Sequence, residues 1–334
     1  MSLHSPDLPL PTTVHAVRRN DNLVHLITNT YVIFAVFATL LSKYISTVSE
    51  YKFPYPYTTT LMQVAIGYVL VHLWQSRMRW SEPRRLRRPR SSPWRLVLPV
   101  SLMYIVLVVF DPYFTTHVPS TLYIPLKAFS IPVMYTWSQW SRSRGMIDAG
   151  NWVSLGCLIQ FLGAWLIDPI HSMQWGVLCR GMAYAVFTAA YGSAVQKALL
   201  DLHYDMTTFL SRFLRLTCLL LIPVSIFSGE LYAVLTSVLF LDEPAFWLHQ
   251  VIGALLGLTL HILMLLVIKY ASAMAFVVAV TAKICLQPLV TAFFFGQPID
   301  FYDLICLVVS LTGAASYFIK KPRSGKPFDS VYSL

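Results

Sequence analysis

The chain has 334 residues, of which 56% are hydrophobic and 12% charged; its mean hydropathy is +0.61 and its formal net charge +10. A soluble domain carries about 25% charged residues, so this composition excludes a large soluble core and indicates a polytopic membrane protein built of helices, which satisfy their backbone polar groups internally. The five cysteines (157, 179, 218, 285 and 306) all fall in apolar stretches without a CxxC pair, which argues against a disulfide framework or a zinc site.

In chain order, residues 1–22 carry prolines and Arg18-Arg19 but no apolar run, and read as a disordered cytosolic tail without a signal or transit peptide. Ten apolar spans follow, at 24–46, 55–76, 96–114, 118–138, 150–168, 173–197, 206–227, 246–268, 271–295 and 301–319. Segment 230–241 is too short to cross a bilayer and reads as an interfacial piece or lid. With ten spans, eighteen of the 25 Lys and Arg fall in the tails and even-numbered loops, counting Lys197 at the end of the sixth span with the loop after it, and one, Lys52, in the odd-numbered loops. The odd loops instead collect acids, among them Glu50, Asp111, Asp168 and Glu230. The positive-inside rule then predicts that both termini are cytosolic. The dense basic run from Arg77 to Arg95 is read as a topogenic loop facing anionic lipid headgroups, not as a nucleic-acid site.

Six cations remain inside the spans: Lys43, Lys127, Arg180, Arg212, Arg215 and Lys283. A charge at mid-membrane depth costs about 2.5–3.5 kcal/mol on insertion scales. Lys43 and Arg180 lie near span ends, where snorkelling relieves the cost. Lys127, Arg215 and Lys283 are predicted near the midplane, and Arg212 and Arg215, three residues apart, share a helix face. With no acid predicted well inside a span, these charges point to an anionic ligand; a structural network with backbone carbonyls is the competing reading. His261 and His72 read as packing residues, which favours anion exchange over proton symport.

Two stretches repeat a lysine followed five residues later by proline: Lys127-Ala-Phe-Ser-Ile-Pro132 and Lys283-Ile-Cys-Leu-Gln-Pro288. Ser42-Lys43 and Gln196-Lys197 close the first and sixth spans, while Thr58-Thr59 and Thr207-Thr208 open the second and seventh. Five spans per half is an odd number, so the second half is inverted. Proline-interrupted helices in paired positions are the usual pointer to a transporter site between inverted repeats. The expected organisation is an all-α polytopic membrane protein with ten transmembrane helices in two inverted five-helix repeats. It divides into residues 23–169 and 170–320, with a cytosolic tail at 321–334.

Four stretches resemble the nucleotide-sugar/triose-phosphate transporter family of the drug/metabolite transporter superfamily. They are Ser42-Lys43 with Phe53-Pro-Tyr-Pro-Tyr-Thr-Thr-Thr, Leu126-Lys127-Ala-Phe-Ser-Ile-Pro132, Thr188-Ala-Ala-Tyr191 running to Lys197, and Thr281-Ala-Lys283 with Phe293-Phe-Phe-Gly-Gln-Pro298. The resemblance implies a central cavity, alternating access, and exchange of a nucleotide sugar for a nucleoside monophosphate; a phosphorylated-metabolite/phosphate exchanger is the alternative. It also implies that Lys127 and Lys283 bind the anion. The chain departs from the pattern of GDP-mannose carriers at Ala279-Val-Thr-Ala-Lys283 and Leu210-Ser211-Arg212, and from plastid phosphate exchangers at Ile284.

The candidate substrate-binding residues are therefore Lys127, Lys283, Arg212, Arg215 and Ser211, with Tyr31, Tyr123 and Tyr191 as base or sugar contacts. For each aromatic, helix packing is the commoner use. The expected partners are a phosphate-bearing small molecule and the lipid bilayer, without nucleic acid or cofactor, and a homodimer is compatible. The expected location is the Golgi or endoplasmic reticulum membrane. A drug exporter would leave the cations unexplained. A non-transporting scaffold stays open, while an enzyme is disfavoured because no nucleophile–base pair, metal cluster or phosphate loop is present.

Overall fold

The computed structural model describes residues 21–45, 53–79, 93–117, 126–142, 175–202 and 205–296, with 301, 304 and 308. The predicted span at 150–168, most of that at 301–319, the start of that at 118–138, both tails and most of the basic loop lie outside the described residues.

Among the described residues the secondary structure is entirely helical. In order these are α1 (Asp21–Lys43), α2 (Pro56–Arg79), α3 (Pro93–His117), α4 (Ser130–Arg142), α5 (Trp175–Asp201), α6 (Met206–Phe227), α7 (Glu230–Ser237), α8 (Pro244–Tyr270) and α9 (Ala273–Phe295). A helical turn at 126–128 precedes α4, and a 3-10 turn, Leu239–Asp242, follows α7. Among the described residues, five stretches are long and apolar enough to cross a bilayer: Asn22–Lys43, Trp94–Pro112, Met206–Phe227, Pro244–Tyr270 and Ala273–Phe294. Their outer faces expose Leu26, Ile33, Phe37, Leu219, Ile226, Leu248 and Leu255, the surface that lipid covers.

The helix starts follow from local chemistry. Asp205 accepts the Thr208 N–H at 3.1 Å and the Thr207 and Thr208 hydroxyls at 2.7 Å, which opens α6 at Met206. Ser272 Oγ accepts the Ala275 N–H and Gln196 Oε1 the Ala273 N–H at the start of α9. Among the described residues two glycines occupy the left-handed region, where a side chain is strained: Gly229 (φ 75°) between α6 and α7, and Gly296 (φ 63°) after α9. The short segment read as an interfacial piece or lid is α7 and its 3-10 turn, and Val234 packs with Phe53 and Phe246 against the starts of α2 and α8.

Helices of the first half pack mainly on helices of the second. Following neighbours from α1 gives α8, α2, α6, α3, α5, α4 and α9, and α9 returns to α1. Exchanging α1 with α5, α2 with α6, α3 with α8 and α4 with α9 maps this ring onto itself. Its interior is filled by one apolar cluster with Leu199, Phe209, Phe213, Leu221 and Leu265 fully buried.

One expectation is corrected. The sequence reading puts Asp111 in an odd-numbered loop, but α3 continues to His117 and holds Asp111 about 9 Å inside its end, at 1.5 Å per residue. An acid followed by Pro112 reads as a helix stop. Here the helix continues through the proline, and a buried cation neutralises the acid.

Candidate anion-binding site

The Lys127 side chain is 4% exposed, and its ammonium donates to Asp111 Oδ1 at 2.6 Å. The Tyr184 hydroxyl donates to the same oxygen at 3.3 Å, and the Tyr184 ring lies 4.8 Å from the ammonium. Lys283 lies within electrostatic reach of both Asp111 and Lys127. The cluster thus joins α3, the turn before α4, α5 and α9, which takes it across both halves of the ring. Lys127 therefore does not lack an internal counter-ion, contrary to the reading of the cations as unbalanced.

The backbone around the two lysines differs. Helix is interrupted at Phe129, directly after the Lys127 turn; Ser130 Oγ bonds the Lys127 carbonyl at 2.9 Å, and the Val133 N–H bonds the Phe129 carbonyl at 3.3 Å. Pro132 stands in the first turn of α4, where its missing N–H costs little. Helix α9 instead runs unbroken through Lys283 and past Pro288. Beside Lys127, Leu126 is fully buried against Gly181 of α5, where a Cβ would come within 2.6 Å of its methyl carbons. The Asp111 side chain is 51% exposed, so the ion pair borders open space.

Arg212 and Arg215 lie elsewhere. Both guanidinium groups sit over the Trp94 ring of α3, at 4.6 and 5.1 Å from its centroid. With Ser211, Thr208, Tyr68, His72, Gln75 and Ser76 they line a cleft of about 360 Å³ between the end of α2 and the start of α6. Gln75 Nε2 ties the two helices by donating to the Thr207 carbonyl at 2.8 Å. Trp94 opens α3 and Asp111 stands seventeen residues on, so the cleft and the lysine cluster lie near opposite ends of that helix, about 25 Å apart at 1.5 Å per residue.

Between the two groups is an aromatic layer. Tyr104 packs on Tyr191, Phe213 and His261 with centroid distances of 6.0, 5.3 and 5.5 Å. Tyr31 and Tyr191 pack on Phe276, and the Tyr191 hydroxyl reaches Met264 Sδ at 3.4 Å. His261 Nδ1 bonds the Gly257 carbonyl at 2.7 Å. His72, also read as packing, stacks on Tyr68 at the wall of the cleft. Tyr123 lies outside the described residues. Lys43 is the last residue of α1, and Arg180 folds back along α5 toward Gly176.

Asp111, Tyr184 and Trp94 escaped the sequence reading. A signal for Asp111 existed, a carboxylate inside a long apolar run sixteen residues before a buried lysine. Tyr68, His72 and Gln75 form a polar stripe at helical spacing that marks the cleft wall. Nothing in the sequence places Trp94 under two arginines.

No protein-family model matches the chain. A curated relative, GDP-fucose transporter 1 of Dictyostelium discoideum, is 24% identical over 287 residues, covering 82% of this chain and 74% of that protein. A solved structure described only as "Crystal structure of protein" matches with a TM-score of 0.60 at 14% identity, covering 88% of this chain and 96% of the other. At that identity the likeness shows a shared fold and nothing more. The chain is thus similar in sequence to a nucleotide-sugar transporter, and its long apolar helices agree with a multi-pass membrane protein.

Proposed function

We propose that this protein is a multi-pass antiporter that exchanges a nucleotide sugar for a nucleoside monophosphate by alternating access. Lys127 and Lys283 grip the phosphates from opposite halves. The observation that carries this reading is the convergence of two lysines from repeated motifs, one from each half, on one cluster inside an apolar helical protein. A buried ammonium is strongly disfavoured without compensating charge, and two beside one carboxylate leave a net positive site. Arg212, Arg215 and Ser211 make the first contacts with the phosphate-bearing ligand in the outer cleft. Tyr31, Tyr191 and Tyr123 are the candidates for base or sugar contacts. The self-mapping ring favours two inverted five-helix repeats within ten helices, and the loop charges favour cytosolic termini. The proposed location is the Golgi or endoplasmic reticulum membrane, and a homodimer is compatible.

The name of the Dictyostelium relative makes GDP-fucose the first substrate to test. Proteoliposomes preloaded with nucleoside monophosphates, inorganic phosphate or sugar phosphates are to be assayed for uptake of labelled GDP-, UDP- and CMP-sugars. Uptake of one nucleotide-sugar class, dependent on preloading and lost in Lys127→Gln and Lys283→Gln, is expected. Uptake of phosphate alone would favour the phosphorylated-metabolite exchanger, since two lysines suffice to hold a bare phosphate. Unchanged uptake in both variants would end the reading.

A further inference from the structure

Asp111 is a carboxylate inside a helix, 2.6 Å from the lysine proposed to hold the ligand. A phosphate that binds Lys127 is brought against this carboxylate on the same ammonium, and the two anions repel each other at close range. We propose that Asp111 is an internal counter-anion which the ligand's phosphate displaces from Lys127, and that the displaced carboxylate takes up a proton from water for as long as the ligand is bound. This inference rests on the lysine site of the preceding subsection and adds a proton to its cycle.

Charge arithmetic inside a low-dielectric space carries the argument. Empty, the cluster holds two ammonium groups and one carboxylate, a net charge of +1. A nucleotide sugar brings two negative charges on its pyrophosphate bridge. With Asp111 still ionised the filled site would carry −1, with three anionic groups facing two cations; with Asp111 protonated it is neutral. Uncompensated buried charge is the costliest arrangement available to the site. The step balances simply: Lys127 transfers its hydrogen bond from Asp111 Oδ1 to a phosphoryl oxygen, and a water-derived proton binds the freed carboxylate. On release the proton leaves and the ion pair reforms. Half of the Asp111 side-chain surface is exposed, which gives the proton its route.

The groups facing Asp111 are those such a switch needs. Lys127 comes from the turn before α4, Tyr184 from α5 and Lys283 from α9. From α2, the Tyr57 hydroxyl bonds the Val109 carbonyl at 3.4 Å, on the neighbouring turn of α3. The arginines of α6 sit at the other end of α3, over Trp94. When Lys127 turns away, Tyr184 remains as a hydrogen-bond partner, so the protonated acid is not left without one. The carboxylate also keeps the empty site from binding anions so tightly that they cannot leave.

The test is titration calorimetry of the full-length protein with GDP-fucose and with a UDP-sugar, whose bridges stay fully ionised between pH 6 and 8. It is run in buffers of differing ionisation enthalpy. For wild type, uptake of about one proton per ligand is expected, with Kd rising by up to about tenfold per pH unit. Asp111→Asn is expected to bind more tightly at pH 7.5 with no proton uptake. Wild-type binding without proton uptake, lost in Lys283→Gln, overturns the role of Asp111 and leaves the lysine site standing. Binding of neither sugar nucleotide, or binding unaffected by Lys283→Gln, overturns the lysine site and this inference with it. The wild-type proton count decides the matter even if Asp111→Asn fails to fold.

Discussion

The Glu230 carboxylate accepts both the backbone N–H and the hydroxyl of Thr58, at 2.9 and 3.3 Å, so α7 caps a helix 172 residues away. Helix α6, the counterpart of α2 in the ring, has the same arrangement, with Asp205 accepting the N–H and hydroxyl of Thr208. One helix thus carries its own cap and the other borrows one from the opposite half.

That borrowed cap is expected to be worth about 1 kcal/mol, the usual cost of removing an N-cap acceptor. Glu230→Ala should lower thermal stability by that order, while Glu230→Gln, which keeps an acceptor oxygen, should cost less. Burial raises the Glu230 carboxyl above its ordinary value, with the Thr58 bonds opposing. A raised folded-state value means stability present in acid and lost as pH rises from the unfolded value through the folded one. Melting curves of wild type and Glu230→Gln should therefore diverge as pH rises above about 4.3, the ordinary glutamate value, with wild type falling. Parallel curves would contradict it.

Gly181 gives the second prediction. Both methyl carbons and the Cγ of Leu126 lie 2.6–2.9 Å from where its Cβ would stand, and Leu126 is fully buried. Gly181→Ala should destabilise by about 1–3 kcal/mol through overpacking, and it should reduce transport because Leu126 carries the turn that positions Lys127. Adding Leu126→Ala should restore transport in part. No loss in the single variant would show that the turn yields easily.

The extent of what could be read from the chain follows the same division between local and distant chemistry. Helix α6 was expected at 206–227 and runs from Met206 to Phe227, because Asp205 and Gly229 mark its ends locally. The twelve-residue segment after it was recognised from length alone. Asp111 was misplaced because the group that neutralises it, Lys127, is brought in by tertiary packing. The separation of Arg212 and Arg215 from the lysines was equally hidden, since it depends on where α3 delivers Trp94.

The arginine cleft supports a kinetic prediction. If Arg212 and Arg215 make first contacts with the phosphate-bearing ligand, Arg212→Gln and Arg215→Gln should raise KM by about tenfold, the scale of one charged hydrogen bond, and leave maximal rate nearly unchanged. Trp94→Phe should be mild and Trp94→Ala should approach the arginine variants, because the ring holds both guanidinium groups. Initial-rate uptake across substrate concentrations separates the two constants. An effect confined to maximal rate would contradict a contact role.

Tyr191 distinguishes packing from recognition. Its hydroxyl reaches only Met264 Sδ among the described residues, so Tyr191→Phe should change stability by no more than about 1 kcal/mol. Tyr191→Ala should cost about 3–5 kcal/mol by emptying the aromatic layer. If Tyr191 also touches the sugar or base, Tyr191→Phe will slow uptake at unchanged stability; wild-type uptake would leave it a packing residue.

The central claim is that Lys127 and Lys283 hold one bound ligand by its phosphates. A double-mutant cycle on GDP-fucose affinity, using Lys127→Gln, Lys283→Gln and the pair, measures this most directly. Residues sharing one partner are expected to show a coupling of about 0.5–3 kcal/mol, with the double variant losing less than the sum of the singles. Strict additivity, or single variants that bind as tightly as wild type, would contradict it.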